Sequence, residues 1–226
     1  MIFQIIAVVF VLCLLSYVIC FQQPHRRVHA LETYAPTTIP ALLEQTSCDD
    51  LIRDAKEKGF IPSEVGPGTV GPTRRSSTCW LDHDNTIVTE LYQKIYLILK
   101  KPIPTTSYEN LQIVEYLKGH FFLPHFDQCS LEQEYCQKEL ERYKRKPRLY
   151  TVLIALNQHG VDYDGGGTHF PNLGTTFRLN KGDALFFRNV SSDGAIEQKS
   201  LHEGIALRSG VRYIANVWVR GSCHHV

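Results

Sequence analysis

The stretch Phe121-Phe122-Leu123-Pro124-His125-Phe126-Asp127 decides how this chain of 226 residues is interpreted. Its aromatic and apolar residues predict a β-strand. Because residues i and i+2 of a strand point to the same face, the His125 imidazole and the Asp127 carboxylate would lie side by side. The pair therefore offers two ligands of a metal site.

A second imidazole would complete a facial triad of two histidines and one carboxylate, which leaves three positions open on a ferrous ion. The best candidate is His202, in the segment Ser200-Leu201-His202-Glu203-Gly204. These ligand types also suit zinc, so they do not select the metal by themselves. His169 lies near a glycine run, but a strand histidine is more often structural.

The charge composition narrows the class of partner. Lysine and arginine total 24 and aspartate and glutamate total 23, giving a formal net charge of +1. Such a balance predicts no nucleic-acid partner and no broadly basic membrane-binding surface. The class of partner must therefore be inferred from the site.

The N-terminus is predicted to be a transmembrane signal anchor over residues 1–21. This run carries no formally charged side chain, and at about 1.5 Å per residue it is long enough to cross a hydrocarbon core of about 30 Å. No small-x-small cleavage site precedes Gln22, which favours a retained anchor. We expect a proline- and threonine-rich linker over residues 22–40 and one catalytic domain over residues 41–226.

The side of the membrane that the domain occupies stays open. Arg26 and Arg27 follow the apolar run, which by the positive-inside rule favours the cytosol. The sequon Asn189-Val190-Ser191 favours the endoplasmic reticulum lumen. The cysteines beyond the apolar run are odd in number and form no zinc-type Cys-x-x-Cys motif, so they leave the compartment undecided.

Two predicted helices precede a run of strands. Ser47 and Asp50 resemble a capping box for a first helix that Gly59 ends, and the second helix is predicted over residues 86–100. The predicted strands cover residues 111–117, 120–126, 149–156, 183–188, 204–207 and 211–219. Helices followed by antiparallel strands indicate an α+β, mainly β fold in which N-terminal helices cover one face of a sheet or barrel.

Several spaced segments resemble the prolyl 4-hydroxylase family. They are Arg74-Arg75-Ser76-Ser77-Thr78-Cys79-Trp80-Leu81, Glu109-Asn110-Leu111-Gln112-Ile113-Val114-Glu115-Tyr116, Gly119 through Asp127, and Lys181-Gly182-Asp183-Ala184-Leu185-Phe186-Phe187. The resemblance implies a double-stranded β-helix (jelly-roll) core that holds Fe(II) through His125, Asp127 and His202. It also implies 2-oxoglutarate and O2 as cosubstrates, L-ascorbate as the reductant that restores oxidised iron, and a proline-containing or collagen-like protein as substrate.

The C-terminal part also resembles procollagen lysyl hydroxylases. This second resemblance rests on Ala155-Leu156-Asn157, Val161 through Gly167, and His202-Glu203-Gly204 through Ile214. Arg212 can bind the far carboxylate of 2-oxoglutarate through two charge-assisted hydrogen bonds. Prolyl hydroxylases usually have lysine at this position, whereas lysyl hydroxylases have arginine. We expect a prolyl 4-hydroxylase, with a lysyl hydroxylase, a catalytically silent peptide-binding module and a zinc hydrolase as alternatives.

Further cosubstrate contacts follow from the prolyl hydroxylase resemblance. Thr168 matches a threonine beside the 2-oxoglutarate tail. Phe122 occupies the place of a tyrosine that commonly binds the cosubstrate, so another group must supply that hydrogen bond or it is lost. Tyr150 and Thr151 are candidates for this role.

The strand register between His202 and Arg212 determines whether their side chains face the same pocket. In a hairpin with a two-residue turn their side chains would face opposite sides. A bulge at Gly210 would bring both into one pocket. That register puts Ile214, Asn216 and Trp218 on the pocket side. There we expect Trp218 to form one wall and to join Arg212 and Thr168 as a cosubstrate-binding residue.

Overall fold

Antiparallel strands make up most of the fold. In this computed structural model we describe residues 35–65, 70–129 and 134–223. The strands are β1 (Thr37–Ile39), β2 (Ile61–Pro62), β3 (Arg74–Arg75), β4 (Ser77–Leu81), β5 (Leu111–Tyr116), β6 (Phe121–His125), β7 (Arg148–Ala155), β8 (Tyr163–Gly165), β9 (Thr168–Phe170), β10 (Thr175–Phe177), β11 (Ala184–Arg188), β12 (His202–Gly204), β13 (Leu207–Gly210) and β14 (Arg212–Arg220). The helices are α1 (Gln45–Lys58), α2 (Thr86–Leu99) and α3 (Glu134–Arg142).

The strands form a large and a smaller sheet. The large sheet has the order β1-β11-β7-β14-β5-β4-β2, and the smaller one has the order β10-β9-β12-β6-β3. A short pair of β13 and β8 completes the described sheets. This mainly β, jelly-roll architecture with N-terminal helices confirms the predicted fold class.

Apolar side chains fill the core of the fold. The buried cluster comprises Val114, Tyr116, Leu153, Ala155, Tyr163, Phe170, Leu179, Leu185, Phe187, Leu207 and Ile214. On β5, Leu111 and Ile113 alternate with Gln112 and so point to the other face of the large sheet. Both are fully buried, and α1 packs against β4 and β5. Helix α1 therefore covers part of this face of the large sheet, where the sequence predicts helical cover.

The two N-terminal helices form where apolar periodicity predicts them, but the first begins differently. α1 starts at Gln45, so Ser47 and Asp50 lie inside it, and Asp50 pairs with Arg53 at 2.5 Å instead of capping. The predicted capping box is therefore wrong, because the helix extends three residues further towards the N-terminus than that signal indicated, with Glu44 at the N-cap position. Asn85 caps α2 through hydrogen bonds from the backbone amides of Ile87 and Val88.

The predicted hairpin between His202 and Arg212 does not form. β13 pairs with β8, whereas β14 pairs with β5 and β7. The single strand predicted over residues 204–207 is instead the end of β12 and the start of β13. Gly210 has a φ of +75°, and a Cβ there would lie 2.2 Å from the Asp162 carbonyl oxygen. Gly210 therefore permits close approach to β8, and no hairpin bulge is needed.

The N-terminal predictions fall largely outside the described residues. The predicted anchor over residues 1–21 lies there entirely, and none of the helices in the described ranges is long and apolar enough to cross a bilayer. β1 pairs with β11, so the large sheet includes the last residues of the segment predicted as linker.

One disulfide links two described segments near the end of β6. Cys129 bonds to Cys136 of α3, while Cys48, Cys79 and Cys223 are free thiols. Three free thiols and one bond account for the odd number of cysteines outside the apolar run.

Candidate metal and cosubstrate site

His125 and His202 face each other across two neighbouring strands. They are Cα partners in the antiparallel pairing of β6 and β12, and their ring centroids lie 4.3 Å apart. The smaller sheet thus unites two residues that lie far apart in the sequence. This pairing depends on the β6–β12 register and not on any local motif.

Both imidazoles present the same nitrogen to a common centre. His125 Nδ1 lies 2.8 Å from the Leu123 carbonyl oxygen, and His202 Nδ1 lies 2.8 Å from the Ser200 carbonyl oxygen. A carbonyl oxygen can only accept, so each Nδ1 carries the proton in the neutral ring. The lone pair of each Nε2 is then available for a metal, and the backbone fixes the ring orientation.

Asp127 completes the cluster. Its Oδ1 lies 3.9 Å from His125 Nε2, and its Oδ2 lies 3.9 Å from His202 Nε2. One donor atom from each of the three residues lies within 4.8 Å of the other two. Two neutral imidazoles and one carboxylate on one side of an ion match the donor set of ferrous oxygenases. The predicted triad is therefore assembled, and we propose these three side chains as the iron ligands.

The environment favours the ligating forms of His125 and Asp127. Burial lowers the pKa of His125 far below its ordinary value, and proximity to His202 lowers it further, so the imidazole stays neutral. Burial alone would raise the pKa of the Asp127 carboxyl. This pKa nevertheless lies below its usual range, and both the Arg148 guanidinium and the hydrogen bond from the Thr151 hydroxyl favour the charged form.

Phe122 holds the His125 ring from one side. The two rings stack at a centroid distance of 3.5 Å with an interplanar angle of 16°. The Arg74 guanidinium lies on the Phe122 ring, 4.6 Å from its centroid. Phe122 therefore acts as a packing surface for a candidate ligand, which is a different task from the cosubstrate hydrogen bond that a tyrosine would make.

Arg212 and Thr168 meet in the same pocket. Arg212 is 4 % exposed, and its Nη2 donates to Thr168 Oγ1 at 3.2 Å while its Nη1 donates to the Gly167 carbonyl oxygen at 3.3 Å. Its Nε is buried without a hydrogen-bond partner among the described residues. A buried guanidinium with unused donors fits a carboxylate ligand, because an uncompensated buried charge is costly.

A single pocket connects this guanidinium with the triad. It encloses about 400 Å³ of space, including its open mouth, and its lining includes His125, Asp127, His202, Arg212 and Thr168. Ile214, Asn216 and Trp218 also line it, which confirms the predicted facing of β14. An elongated diacid can therefore lie between the metal ligands and the cation.

Trp218 lies at the far end of β14 from Arg212. Six residues of strand at about 3.3 Å each separate the two by about 20 Å. The Trp218 ring stacks under the Arg148 guanidinium at 3.7 Å and lies 5.9 Å from the Trp80 ring. We therefore propose that Trp218 forms a wall on the substrate side and not the cosubstrate contact expected from the sequence, whereas Arg212 and Thr168 bind the cosubstrate.

Two candidate replacements for the missing tyrosine are placed elsewhere. Tyr150 stacks on Phe186, and the Thr151 hydroxyl lies 2.6 Å from Asp127 Oδ2, so Thr151 serves the carboxylate. The pocket instead contains Tyr116, whose ring lies 5.8 Å from the Arg212 guanidinium. Sequence reasoning missed it, although its inward position in the alternating pattern of β5 was a usable signal.

Two other predicted features have structural roles. Asn189 of the sequon is 0 % exposed and donates from its side chain to Thr151 Oγ1, so in the folded protein it is not an accessible glycan acceptor. His169 Nδ1 lies 3.0 Å from Thr176 Oγ1, and His169 does not belong to the metal cluster.

Comparison with known proteins identifies the family of this fold and site. Residues 111–220 match the family model of the 2OG-Fe(II) oxygenase superfamily. A putative prolyl 4-hydroxylase of Acanthamoeba polyphaga mimivirus is 32 % identical over 82 % of this chain and 74 % of its own length. Prolyl 4-hydroxylase subunit alpha-2 of Caenorhabditis elegans is 31 % identical over 65 % of this chain, but the match covers 26 % of that longer protein.

A solved structure agrees with these matches. The viral collagen prolyl hydroxylase of Paramecium bursaria Chlorella virus-1, in complex with 2-oxoglutarate, superposes with a TM-score of 0.68 and 25 % identity. The match covers 85 % of this chain and 99 % of the viral protein. Together with the assembled triad, these findings assign Fe(II), 2-oxoglutarate and O2 as cofactor and cosubstrates, with the ascorbate dependence typical of prolyl hydroxylases. The chain belongs to the prolyl 4-hydroxylase family of 2-oxoglutarate- and Fe(II)-dependent dioxygenases.

Proposed function

We propose that this protein hydroxylates peptidyl proline at C4 in a proline-rich or collagen-like substrate. One observation supports this most strongly: the three candidate metal ligands and the buried Arg212 line a single pocket. This arrangement occurs in a chain whose relatives include prolyl 4-hydroxylases.

The metal and its cosubstrates would supply the oxidising chemistry. When bound, they couple decarboxylation of 2-oxoglutarate to succinate and carbon dioxide with transfer of one oxygen atom of O2 to the substrate carbon. His125 and His202 would hold the metal through Nε2, and Asp127 through its carboxylate. Three neighbouring coordination positions then stay open for the reactants.

The remaining side chains orient the reactants and exclude water. Arg212 would bind the far carboxylate of 2-oxoglutarate, with Thr168 holding the guanidinium in place. Leu153, Ile214 and Phe122 give the pocket apolar walls. Trp218 offers an uncharged proline ring a flat apolar surface. Correct placement and the exclusion of water account for this protein's share of the rate enhancement.

The target residue is tested by product analysis. Collagen-like peptides and matched peptides with lysine in place of proline are incubated with the protein, Fe(II), 2-oxoglutarate, O2 and ascorbate. Tandem mass spectrometry should locate the added oxygen on proline. Oxygen on lysine alone would instead identify a lysyl hydroxylase, the alternative that Arg212 favours.

Two alternatives from other classes give different results in the same assay. A catalytically silent peptide-binding module would release no succinate, even in the parent protein. A zinc hydrolase would act without oxygen. We expect succinate from the parent under air, no succinate under anaerobic conditions, and none from the variant His125→Ala.

We further propose, from the sequence, that residues 1–21 anchor the enzyme in a membrane with its domain on an oxidising side such as the endoplasmic reticulum lumen. The Cys129–Cys136 bond supports that side, because disulfides persist mainly in oxidising compartments. Arg26 and Arg27 favour the opposite orientation. Alkaline extraction of the full chain and of a form lacking residues 1–34 tests membrane anchoring. Protease protection of the domain in sealed vesicles tests its orientation. Release of the full chain by alkali, or digestion of the domain in sealed vesicles, would overturn them.

A further inference from the structure

Two buried hydrogen bonds in series end on the candidate carboxylate ligand. Asn189 Nδ2 donates to Thr151 Oγ1 at 2.8 Å, and Thr151 Oγ1 lies 2.6 Å from Asp127 Oδ2. Asn189 is 0 % exposed and Thr151 is 1 % exposed. Water therefore does not compete for either bond.

The direction of the series is determined by its donors. A hydroxyl carries one proton, and an amide NH2 group can only donate. Because Asn189 donates to the Thr151 oxygen, the single hydroxyl proton of Thr151 is directed to Asp127 Oδ2. A hydrogen bond to an ionised acceptor is shorter and stronger than one between neutral groups, which agrees with the 2.6 Å separation.

Both side chains are held firmly by neighbouring strands. Thr151 lies in the middle of β7, where its Cα partners are Phe187 on β11 and Trp218 on β14. The Asn189 backbone amide donates to the Leu149 carbonyl oxygen, and its own carbonyl accepts from the Glu197 amide. The hydroxyl that reaches Asp127 therefore belongs to the rigid large sheet.

Packing alone does not explain a buried asparagine here. Asn189 Oδ1 has no hydrogen-bond partner among the described residues. Burying an unmatched polar atom destabilises the fold, and an apolar residue of similar size would avoid that destabilisation. The Asn189 amide is therefore present although it lowers stability. Among the described residues, its side chain hydrogen-bonds to Thr151.

We propose that Thr151 and Asn189 are positioning residues that hold Asp127 Oδ2 and leave Oδ1 to the metal. Binding through one oxygen keeps the carboxylate from occupying a second coordination position, so the positions needed by 2-oxoglutarate and O2 stay free. This inference rests on the proposed role of Asp127 as a metal ligand. Thr151 acts through Asp127, and Asn189 acts through Thr151.

Metal affinity, measured without turnover, tests the proposal. Mn(II) is titrated into the parent and into Thr151→Val and Thr151→Ser, and the free ion is followed by electron paramagnetic resonance. Loss of a bond that orients a metal ligand typically weakens metal binding by about 10- to 100-fold. We expect that loss in T151V, near-parent affinity in T151S, and a smaller loss in the same direction in Asn189→Leu.

A matched control separates positioning from folding. Thr78 is likewise buried in a strand, and its hydroxyl lies 2.6 Å from Ser63 Oγ. T78V should lower the thermal midpoint and leave Mn(II) affinity unchanged. The double variant T151V/N189L removes the unmatched amide, so it should recover stability relative to T151V while its metal affinity stays low.

The possible failures are distinguishable. Failure of the parent to bind Mn(II) would contradict the proposed metal site itself. Binding by the parent with T151V within twofold of it would leave that site standing and overturn the positioning role. Recovery of metal affinity in T151V/N189L along with stability would also overturn it, because the effect would then be one of folding alone.

Discussion

His202 and Arg212 lie ten residues apart in the sequence but on different sheets, and their side chains line one pocket. His202 is on β12 of the smaller sheet, and Arg212 begins β14 of the large sheet. The chain between them forms β13, which pairs with β8. The jelly roll therefore allows a short segment to supply both a candidate metal ligand and the candidate cosubstrate cation.

The first prediction concerns the Arg212 guanidinium. Arg212→Gln removes the buried charge that would bind 2-oxoglutarate, and loss of such a partner costs at least about 2 kcal/mol, or about 30-fold in affinity. The 2-oxoglutarate affinity of Arg212→Lys should lie between those of the parent and of Arg212→Gln. Lysine keeps the positive charge but cannot form the bidentate pair of hydrogen bonds. Calorimetric titration of 2-oxoglutarate into the Mn(II)-loaded protein measures both.

Arg208→Gln is the matched control for Arg212. The Arg208 side chain is 74 % exposed and pairs with Asp164 at 2.8 Å. Its replacement should leave 2-oxoglutarate affinity unchanged. Equal losses in R208Q and R212Q, or parent-like affinity in R212Q, would contradict the assignment of Arg212.

A second prediction concerns Tyr116. Its hydroxyl would lie 3.4 Å from a Cβ built on Gly204, which places it among the pocket-lining groups, and its ring lies near Arg212. Tyr116→Phe should weaken 2-oxoglutarate binding about fivefold to tenfold, the usual effect of losing one hydrogen bond. Tyr96→Phe, at a residue 38 % exposed, is the control in the same calorimetric titration. Parent-like binding by Y116F would show that this hydroxyl does not replace the missing tyrosine.

A third prediction is a pH dependence of stability. Glu109 is buried between Arg148 and Arg220, whose Nε atoms each lie 2.6 Å from its Oε1. Burial would raise the pKa of Glu109, but the two guanidinium groups outweigh it and lower the pKa below the ordinary value. A carboxyl with a lowered folded-state pKa stabilises the fold above its unfolded-state pKa, and this contribution is lost as the pH falls through the folded-state value.

Glu109→Gln should therefore destabilise the protein most near neutral pH. Removing one partner from a buried ionic network costs about 3–5 kcal/mol. The difference in free energy of unfolding between E109Q and the parent should shrink as the pH falls below the ordinary pKa of glutamate. Urea unfolding at several pH values measures this difference. Glu57→Gln, at an exposed position of α1, should show neither effect. A difference for E109Q that stays constant down to strongly acidic pH would contradict the ionic explanation.

A fourth prediction concerns the disulfide. The Cys129–Cys136 bond closes a loop with a sequence separation of 7 residues. In the chain-entropy model such a loop contributes on the order of 2 kcal/mol to stability. The double variant C129A/C136A should lose about that much in chemical unfolding under oxidising conditions, whereas C223A should match the parent. Equal stability of parent and double variant would argue against the bond in the native protein.

The fold and triad could be predicted from the sequence because they depend on short repeating patterns and spaced motifs. Alternation along β6 places His125, and the motif around His202 identified the third ligand by resemblance. The pocket side of β14 followed from the period of two: Arg212, Ile214, Asn216 and Trp218 all face inward.

The remaining features depend on contacts between distant strands. No residue near Gly210 indicates that β13 pairs with β8. From the local sequence, a hairpin between β13 and β14 was therefore predicted. Thr151 reaches Asp127 because of sheet geometry that no local pattern reports. Asn189 matches a glycosylation motif, and its burial beside Thr151 shows why such a motif must be interpreted with the fold.

The most direct test of the central claim uses isotopically labelled dioxygen. A collagen-like peptide is incubated with Fe(II), 2-oxoglutarate and ascorbate, using the parent protein and the variants H125A, D127A and H202A. We predict one labelled oxygen atom on proline for each succinate that the parent forms, and no labelled peptide from any variant. Oxygen derived from water, or labelled proline formed equally well by the three variants, would contradict the claim that these side chains hold the iron of a prolyl hydroxylase.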